Sequence, residues 1–311
     1  MDLRQLSALV GVAETGSFSA AARAMHTVQS NISTHIARLE RELGAPLVDR
    51  TTGSLTPEGQ VVVRRARHIQ VELDAIVADV AAVRDEVAGL VRIGCIGTVG
   101  RWLVPLILER VTKEHPKLQV QVVDATTTSL VPQLLADNLD LAIVNLPVNE
   151  ADLVTELLFE EDRIVIAPSD HPLAGRGRVH LTDLGDHELL LEPKGTSFRD
   201  ELDDEAAAVG ITLRPRAEVD GLRLIATLAF QGFGAAIVPA TAAPHWLAGS
   251  WERVAVEGLD RRQVGLARRR RGLLSAPARA LRESVQRTVQ LESGGLEGVH
   301  VADLEVGSPG A

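Results

Sequence analysis

The sequence predicts a multidomain protein of the α and α/β classes: a small winged helix-turn-helix, a long connector helix and a larger α/β domain with two subdomains. At 311 residues the chain is too long for one small hydrophobic core. Apolar residues recur with helical spacing through the first 90 positions. After Gly89 the pattern changes to alternating strand-like and helix-like segments. These three observations indicate three consecutive structural units.

The composition is that of an ordinary globular protein, with 45% hydrophobic and 24% charged residues. No apolar run approaches the roughly 18 residues of a membrane span, and the polar start "MDLRQLSALV" does not resemble a signal peptide. The single cysteine, Cys95, excludes an intrachain disulfide and a cysteine-rich metal site. We therefore expect a cytoplasmic protein without a membrane partner, a metal or a cofactor.

The net charge of −10 conceals an asymmetry between the two ends of the chain. Residues 1–70 contain eight Arg and six acidic residues, which gives +2. The remaining residues carry 24 basic and 36 acidic side chains, which gives −12. Because local charge decides whether a segment can approach phosphates, the acidic total does not exclude a nucleic-acid surface near the N-terminus.

Three apolar helical faces follow one another in the first 44 residues. Ser17 suits the N-cap of the second helix, because its side chain can accept a backbone N–H. Gly44 suits the left-handed position that ends the third helix. Two short helices, a turn and a longer helix make the helix-turn-helix arrangement. The apolar positions are Leu3, Leu6, Leu9, Val10 and Ala13, then Phe18, Ala21, Ala22 and Met25, then Val28, Ile32, Ile36, Leu39 and Leu43.

The outward face of the third helix is predicted to carry short hydrogen-bonding side chains and one cation, which suit the edges of bases in a groove. A polar face is also what any solvated helix shows, so the residues alone leave DNA binding open. The following segment "DRTTGSLTPEG" predicts a polar turn, either a wing that touches phosphates or a solvated loop. The residues concerned are Gln29, Ser30, Ser33, Thr34 and Arg38 on the helix, and Arg50, Thr51, Thr52 and Ser54 in the turn.

A heptad pattern predicts a connector helix over residues 60–90. Its apolar positions alternate steps of four and three residues, which gives a stripe too narrow for one helix to bury alone. We therefore expect this helix to pair with a second copy of the chain. The stripe is Val62, Ala66, Ile69, Leu73, Ile76, Val80, Val83, Val87 and Leu90.

The larger region, residues 91–293, is predicted to fold as two α/β subdomains separated by a cleft. Alternating strands and helices imply parallel sheets that bind ligands at the carboxyl ends of their strands. We expect the first subdomain to comprise about 91–162 and 268–293, and the second about 163–267. Residues 294–311 contain few apolar anchors and are predicted to form a disordered tail.

In this order, the segments resemble a LysR-type transcriptional regulator over about residues 2–292. "FSAAARAM", "QSNIS", "IARLERELGAPLVDR" and "LTPEG" are similar to the winged helix-turn-helix of the family, whose recognition helix opens with Gln, here Gln29, and has Ser four residues on, here Ser33. "HPKLQVQVVDATTTSLVPQLLADNLDLAIV" and "GFGAAIVP" resemble its effector-binding region. The resemblance implies a dimer or tetramer on double-stranded DNA at an operator with an interrupted dyad. It also implies an effector domain related to periplasmic solute-binding proteins, a small-molecule effector and, for an activator, contact with RNA polymerase.

The chain departs from the family pattern at four places. Val28 stands where Ser or Thr usually precedes the recognition helix, so we expect Thr27 to be the N-cap and the helix to begin one residue earlier. Thr34 replaces a frequent basic residue, and Val48 replaces the usual Phe. The segment between Arg50 and Leu55 is also a few residues short, which predicts a wing of shorter reach.

The resemblance, together with the patterns above, designates two sets of candidate residues. The predicted DNA contacts are Ser19, Gln29, Ser30, Asn31, Ser33, Thr34, His35, Arg38, Arg50, Thr51, Thr52 and Ser54. The predicted effector contacts are Thr98, Val99, Gly100, Thr126, Thr127, Asn145, Pro147, Thr196, Ser197, Phe198, Gly221 and Leu222. Hydroxyl groups and helix N-termini favour a small carboxylate or another anion as the effector.

Other functions remain as alternatives. One is a solute-binding protein whose N-terminal unit only oligomerises, which the polar face of residues 29–38 argues against. Another is an enzyme in the cleft, but the sequence shows no nucleophile elbow, P-loop or "GxGxxG". Cys95 is expected to be an inert buried thiol, whereas peroxide-sensing relatives use a pair of cysteines. The run from Arg268 to Arg271 is interpreted as a solvated or ion-paired strand edge.

Overall fold

The computed structural model describes residues 1–84, 86–244 and 246–301. The chain divides into two compact units, which are described separately below. The first unit comprises Met1–Asp85 with Ala136–Asn138, and the second comprises Glu86–Leu135 with Leu139–Ala311. Among the helices of the described residues, none has the length and apolar character needed to cross a membrane.

The first unit is helical and agrees with the predicted helix-turn-helix. Asp2 and Gln5 form a reciprocal capping box at the first helix, and the Ser17 hydroxyl caps the second by accepting the Ala20 N–H. Gly44 ends the third helix with φ of 71°, as predicted. The four helices are α1 (Leu3–Thr15), α2 (Phe18–Ala24), α3 (Gln29–Leu43) and α4 (Pro57–Ala82).

The expectation that Thr27 caps α3 is wrong. The helix begins at Gln29, and its N-cap is Val28, which has no side-chain cap bond. The Thr27 hydroxyl instead accepts a hydrogen bond from the Asn31 side-chain amide at 3.0 Å. The Thr27 backbone N–H closes the preceding turn on the Ala22 carbonyl, so this residue belongs to the turn rather than to the helix.

The core of the first unit forms where the aliphatic sides of α1 and α3 meet. Leu9, Ile36 and Leu39 have no exposed surface. Beyond α3, a single bridge between Val48 and Leu55 defines a short wing. This core fixes which side of α3 is outward.

The connector helix is shorter than predicted. It ends at Ala82, and the chain enters a strand at Ala88. Val87 and Leu90 therefore do not belong to the helical stripe; Leu90 lies in that strand. The pattern misled because apolar residues before and within the strand continued the heptad spacing by chance. The remaining stripe is exposed at Ile69, Leu73, Ile76 and Val80.

The second unit contains two six-stranded sheets with helices packed against them, which agrees with the predicted pair of α/β subdomains. The strands of the first sheet, in spatial order, are β12 (Val299–His300), β4 (Leu153–Glu161), β11 (Arg262–Arg269), β3 (Leu141–Asn145), β1 (Ala88–Cys95) and β2 (Lys117–Asp124). Those of the second are β6 (Arg178–His180), β10 (Trp251–Glu257), β5 (Arg163–Pro168), β9 (Ala235–Pro239), β7 (Glu188–Leu191) and β8 (Arg214–Glu218).

Five α-helices and three short 3-10 helices connect these strands within the described residues. The α-helices are α5 (Gly97–Glu114), α6 (Thr127–Leu135), α7 (Ser197–Ala208), α8 (Leu222–Phe230) and α9 (Ala276–Glu292). The 3-10 helices are Leu181–Asp186, Ala240–Ala242 and Ser293–Gly295. β1, β2 and β3 are parallel, so α5 and α6 both begin at the carboxyl edge of the first sheet.

The predicted boundary between the subdomains requires correction. All of β11, from Arg262 to Arg269, pairs with β3 and β4 of the first sheet, so the return to the first subdomain precedes residue 268. The chain thus crosses between the sheets twice, at Asp162 and between Glu257 and Arg262.

The predicted disordered tail is wrong for its first part. Residues 294–301 are ordered as the end of a 3-10 helix and a short strand, in which Val299 pairs with Glu161. Leu296, Val299 and Val301 pack against the core of the first subdomain. The apolar anchors were spaced too widely to form a recognisable pattern. Residues 302–311 of the predicted tail lie outside the described residues.

Candidate nucleic-acid interface and ligand cleft

The outward side of α3 presents polar groups, as predicted. Ile32 and Ile36 are buried, whereas Gln29 and Arg38 are exposed and Ser33 is half-buried. The burial of the aliphatic side determines this orientation, because rotating the helix would expose the core. Gln29 lies at the first turn, where a recognition helix can approach base edges most closely.

Several predicted contact residues on α3 already make local hydrogen bonds. The Thr34 hydroxyl donates to the Ser30 carbonyl at 2.8 Å, and the Asn31 amide donates to Thr27. His35 is half-buried, and its Nδ1 has no hydrogen-bond partner among the described residues. These local bonds occupy the Thr34 hydroxyl and the Asn31 amide.

The wing has a compact internal hydrogen-bond network. The backbone N–H groups of Thr51 and Thr52 donate to Asp49 Oδ1 at 2.7 and 3.2 Å, and these bonds hold the pKa of Asp49 below its usual range. The hydroxyls of Thr52 and Ser54 are 2.6 Å apart, so each can bond the other. Both residues remain accessible to solvent. The wing therefore presents hydroxyl groups on an exposed edge.

Arg50 is less free than the sequence suggested. Its Nη2 donates to Glu40 Oε2 at 2.8 Å, and its guanidinium carbon lies 5.3 Å from the centroid of the Phe18 ring. About half of the Arg50 side chain is still exposed. An ion pair and a cation–π contact thus orient this cation between the wing and α2.

In the second unit, the predicted residues that follow β1 lie at the start of α5. Thr98 is buried and its hydroxyl accepts a hydrogen bond from Arg262 Nη2 at 2.9 Å. Val99 has no exposed surface and packs in the hydrophobic core, so its side chain is not positioned to contact a ligand. At Gly100, an added methyl group would lie 3.4 Å from Cys95 Sγ. Gly100 therefore lies against Cys95, and a methyl group there would be in ordinary contact with the thiol.

Arg262 belongs to a buried ionic network that sequence reasoning missed. Its Nε donates to Glu161 Oε1 at 2.9 Å, and Glu161 Oε2 accepts the backbone N–H of Thr241 at 2.9 Å. Glu161 ends β4, Arg262 begins β11, and Thr241 lies beyond β9 of the second sheet. The network therefore joins Thr98 to the second subdomain. The only local signal was a charged residue at each of the two strand ends.

The residues predicted to follow β2 and β3 converge at the carboxyl edge of the first sheet. The Thr127 hydroxyl accepts the Asn145 backbone N–H at 3.0 Å, which joins α6 to the end of β3. Thr126 lies just before α6, and its hydroxyl contacts those of Thr128 and Ser129. Asn145 Oδ1 is buried without a hydrogen-bond partner among the described residues. A ligand with a donor group could satisfy this oxygen.

Pro147 completes the predicted set on the first subdomain. It is exposed and follows a cis peptide bond after Leu146.

Across the cleft, an ion pair of 2.6 Å connects Asp124 at the end of β2 with Arg223 near the start of α8. Both partners are about half exposed. Sequence reasoning missed this pair because its members lie 99 positions apart.

On the second subdomain the predicted residues have different roles. Ser197 begins α7, and the Thr196 hydroxyl donates to the Pro193 carbonyl at 3.0 Å. Phe198 is buried in the core, and the Arg163 guanidinium lies 5.5 Å from the centroid of its ring, so its side chain is structural. Gly221 is the N-cap of α8 with φ of 111°, and Leu222 is half-buried against the core.

Glu192 was not predicted, yet it lies among these residues at the end of β7. Burial raises the pKa of its carboxyl above the usual value, although the Gly221 backbone and the Thr196 side chain act in the opposite direction. The charges of Asp220 and Arg262 act on it in opposite directions. The N-terminus of α8, where the candidate effector residues Gly221 and Leu222 lie, therefore already faces a carboxyl group of the chain itself.

Cys95 is buried at the end of β1, in agreement with the expected inert thiol. Burial is the main reason that its pKa is raised to about 12, and the Asp124 carboxylate adds to the shift. Arg262 acts in the opposite direction. No group of three or more potential metal ligands occurs in the part of the chain that the structure describes.

Two members of the arginine run, Arg269 and Arg270, make hydrogen bonds to backbone carbonyls. Arg269 Nη1 donates to the carbonyls of Leu134 and Leu139 at 3.1 and 3.0 Å. Arg270 Nε donates to the Ala151 carbonyl at 2.8 Å. These bonds join the end of β11 to the neighbouring loops, whereas Arg271 is exposed to solvent.

Comparison with known proteins agrees with both units. The model "Bacterial regulatory helix-turn-helix protein, lysR family" matches residues 3–60, and "LysR substrate binding domain" matches residues 84–290. The "Probable hydrogen peroxide-inducible genes activator" of Mycobacterium avium is 34% identical over 247 residues, which are 77% of this chain and 78% of that protein.

Two solved structures extend the similarity over most of the chain. A full-length OxyR variant from Pseudomonas aeruginosa has a TM-score of 0.74 and 27% identity, and the match covers 94% of this chain and 95% of that one. Full-length CbnR in complex with its target DNA has a TM-score of 0.66 and 27% identity, with coverages of 93% and 100%. With both family models matched in order, this chain belongs to the LysR family of DNA-binding transcriptional regulators.

Proposed function

We propose that this regulator binds a small molecule between its two α/β subdomains and converts occupancy into a changed spacing or bend of bound DNA. The observation that supports this most directly is the pair of contacts joining the subdomains at the strand ends: Asp124 with Arg223, and Glu161 with the Thr241 N–H. A ligand that enters this region must compete with or reinforce these contacts. It would thereby favour one arrangement of the subdomains over another.

The connector helix supports a dimer as the unit that binds DNA. Val77 is 71% exposed and Ile76 is 59% exposed, and a second copy of α4 could cover this apolar surface. Two copies would place two α3 helices on neighbouring grooves of an operator with an interrupted dyad. We further propose a tetramer as the larger assembly, contact with RNA polymerase in activation, and action in the cytoplasm.

The mode of sensing is proposed to differ from a cysteine-pair switch. The Mycobacterium avium relative is described as hydrogen peroxide-inducible, but this chain has only Cys95, whose thiol is buried with a pKa of about 12. A low-pKa, accessible thiol is what peroxide sensing requires. We therefore infer that the signal is a non-covalently bound effector.

The groups around the cleft suggest how a carboxylate effector would be oriented. Thr126, Thr127 and the start of α6 offer hydroxyl donors and backbone N–H groups to an anion. On the opposite side, Glu192 would repel an anion but accept a donor group. We propose that a carboxylate end faces α6 and a hydrogen-bond donor faces Glu192.

Mass spectrometry under native conditions tests the proposal by identifying a compound retained by the purified full-length protein. That compound should raise the melting temperature of the parent and alter its gel shift on DNA from upstream of its own gene. Thr127→Val should weaken the thermal shift, whereas Thr112→Val, which removes an exposed hydroxyl from α5, should not. A compound that stabilises both variants equally would place the effector elsewhere.

A further inference from the structure

We propose that residues 293–301 form a strap that latches the hinge between the two α/β subdomains, so that the subdomains rearrange only when the strap is released. The strap follows α9 and lies beyond residue 290, where the match to the LysR substrate binding domain ends. It is therefore a feature of this chain outside the region that the family model describes.

One end of the latch is Asp162, the residue at the first crossover between the sheets. Its backbone N–H donates to the Gly298 carbonyl at 2.8 Å, and its Oδ1 accepts from His300 Nε2 at 2.9 Å. The same Oδ1 accepts from Arg261 Nε at 2.9 Å, which lies in the second crossover. The Asp162 carbonyl also accepts the Ala240 N–H at 2.9 Å. One hinge residue thus joins both crossovers, the strap and the second subdomain.

The other end of the latch is Arg253 on β10 of the second sheet. Its Nη2 donates to the Glu297 carbonyl at 2.8 Å, and its Nε lies 3.7 Å from the Glu297 carboxylate. Nη1 of the same guanidinium donates to the carbonyls of Ala240 and Ala243. Since β12 of the strap also pairs with β4 of the first sheet, the strap is bonded to both subdomains. A change in their relative position must stretch or break one set of bonds.

The underside of the strap covers a narrow pocket at the same hinge. Leu296 and Val299 contribute its strap side, and Trp102 and Thr241 line the opposite side. Trp102 Nε1 and Thr241 Oγ1 are both buried without hydrogen-bond partners among the described residues. Burying such groups unpaired is unfavourable, and water could reach them if the strap lifted. Binding of the strap to this hinge therefore keeps two buried polar groups without hydrogen bonds. This cost favours release of the strap.

The test substitutes a strap residue and measures two things outside the strap: the accessibility of Trp102 and the distance between the two subdomains. Leu296→Asp places a charge on the covered side of the strap, and Leu291→Asp is the matched control because Leu291 is 61% exposed just before the strap. Full-length protein with Trp246→Phe and Trp251→Phe leaves Trp102 as the sole indole. Spin labels at Thr112→Cys and Asp204→Cys in a Cys95→Ala background report the distance between the subdomains, with excess unlabelled chain suppressing signals between protomers.

Leu296→Asp should shift Trp102 emission to the red, open it to acrylamide quenching and broaden the distance distribution. Leu291→Asp should match the parent in all three readouts. If Trp102 becomes accessible while the distance distribution stays that of the control, the strap is a passive cover and the proposal fails. If Leu296→Asp does not fold, the milder pair Val299→Ser with His300→Ala is measured in the same way, and unchanged distances there overturn the latch.

Discussion

Arg50 in the wing and Glu40 in the recognition helix form an ion pair with an N–O distance of 2.8 Å. The other oxygen of Glu40 accepts the backbone N–H groups of Leu47 and Val48 at 2.9 and 3.3 Å. One carboxylate therefore sets both the path of the chain after α3 and the position of a wing cation. The sequence indicated a position near DNA for Arg50 but gave no sign of this partner.

Replacing Glu40 should destabilise the first unit and misplace the wing. Glu40→Ala leaves two backbone donors unpaired, which should lower the free energy of unfolding by about 1–3 kcal/mol. Glu40→Gln keeps an acceptor for those donors and should cost less, although it removes the charge opposite Arg50. Urea unfolding measures both. Glu42→Ala is the control, because the Glu42 carboxylate is exposed on the same helix and pairs only with the Met1 ammonium at the surface, an interaction worth little. Equal decreases for Ala at both positions would contradict the role of Glu40.

The same residue predicts a decrease of stability in acid. Burial raises the pKa of Glu40, but hydrogen bonds from Leu47, Arg50 and Val48 outweigh it, and the net pKa is below the usual 4.5. A depressed pKa in the folded state means that stability is present above pH 4.5 and is lost as the pH falls through the folded-state value. Between about pH 7 and pH 3, Glu40→Gln should therefore show a flatter stability profile than the parent in the unfolding of the first unit.

Glu192 predicts the opposite pH dependence. Its pKa is raised from 4.5, mainly by burial, so the folded state binds a proton more tightly than the unfolded chain. Its contribution to stability is fully present below pH 4.5 and is lost as the pH rises through the folded-state pKa. Glu192→Gln should thus raise the melting temperature at about pH 7, with no gain in more acid solution. Glu188 is exposed on β7, so Glu188→Gln should leave the melting temperature unchanged both at about pH 7 and in acid. A gain in the melting temperature of Glu192→Gln that does not depend on pH would refute the assignment.

Local sequence patterns predicted the helices of the first unit but not the ion pairs and hydrogen bonds between its polar side chains. Helical spacing around Ile32 and Ile36 fixed which side of α3 is buried, since both residues must reach the same core. The predicted connector helix was too long, because Leu90 fits the heptad spacing although it lies in the strand that follows the helix. A periodic pattern records burial and does not mark where hydrogen bonding changes from helix to sheet.

The cleft was harder to predict because its ionic contacts connect distant parts of the chain. Arg262 and Glu161 are 101 positions apart, and their pairing depends on β11 lying beside β4. Without that strand order, the second crossover could not be located, and the subdomain boundary was placed too late. Small polar residues such as Thr127 were predictable, because they follow strand ends in sequence as well as in space.

Cys95 should be unreactive in the folded protein. A rise in its pKa from 9.0 to about 12 lowers the thiolate fraction near pH 8 by about 10³-fold. Iodoacetamide should label it only after denaturation, and hydrogen peroxide should leave the gel shift of the parent and of Cys95→Ala unchanged. A peroxide-dependent shift that disappears in Cys95→Ala would show that this thiol is a sensor.

The exposed side of α3 predicts the effect of substitutions on DNA binding. Ser33→Ala with Arg38→Ala removes a short hydrogen-bonding group and a cation from this side without disturbing Ile32 or Ile36. We expect specific binding to weaken by about 1–3 kcal/mol for each base-reading side chain that is truncated, with dimerisation and effector binding intact. Arg41→Ala is the control, because it removes the same charge from α3 near the end of the helix.

A salt titration distinguishes base recognition from phosphate binding on α3. If each dimer makes about 6–10 phosphate contacts, raising salt from roughly 50 to 200 mM should weaken binding by the parent about 10³–10⁵-fold. Ser33→Ala should lower affinity without changing this salt dependence if Ser33 binds a base. Arg38→Ala should reduce the slope of the salt dependence by about one if Arg38 binds a phosphate. Unchanged operator affinity in the double variant, at every salt concentration, would remove this side of α3 from the interface.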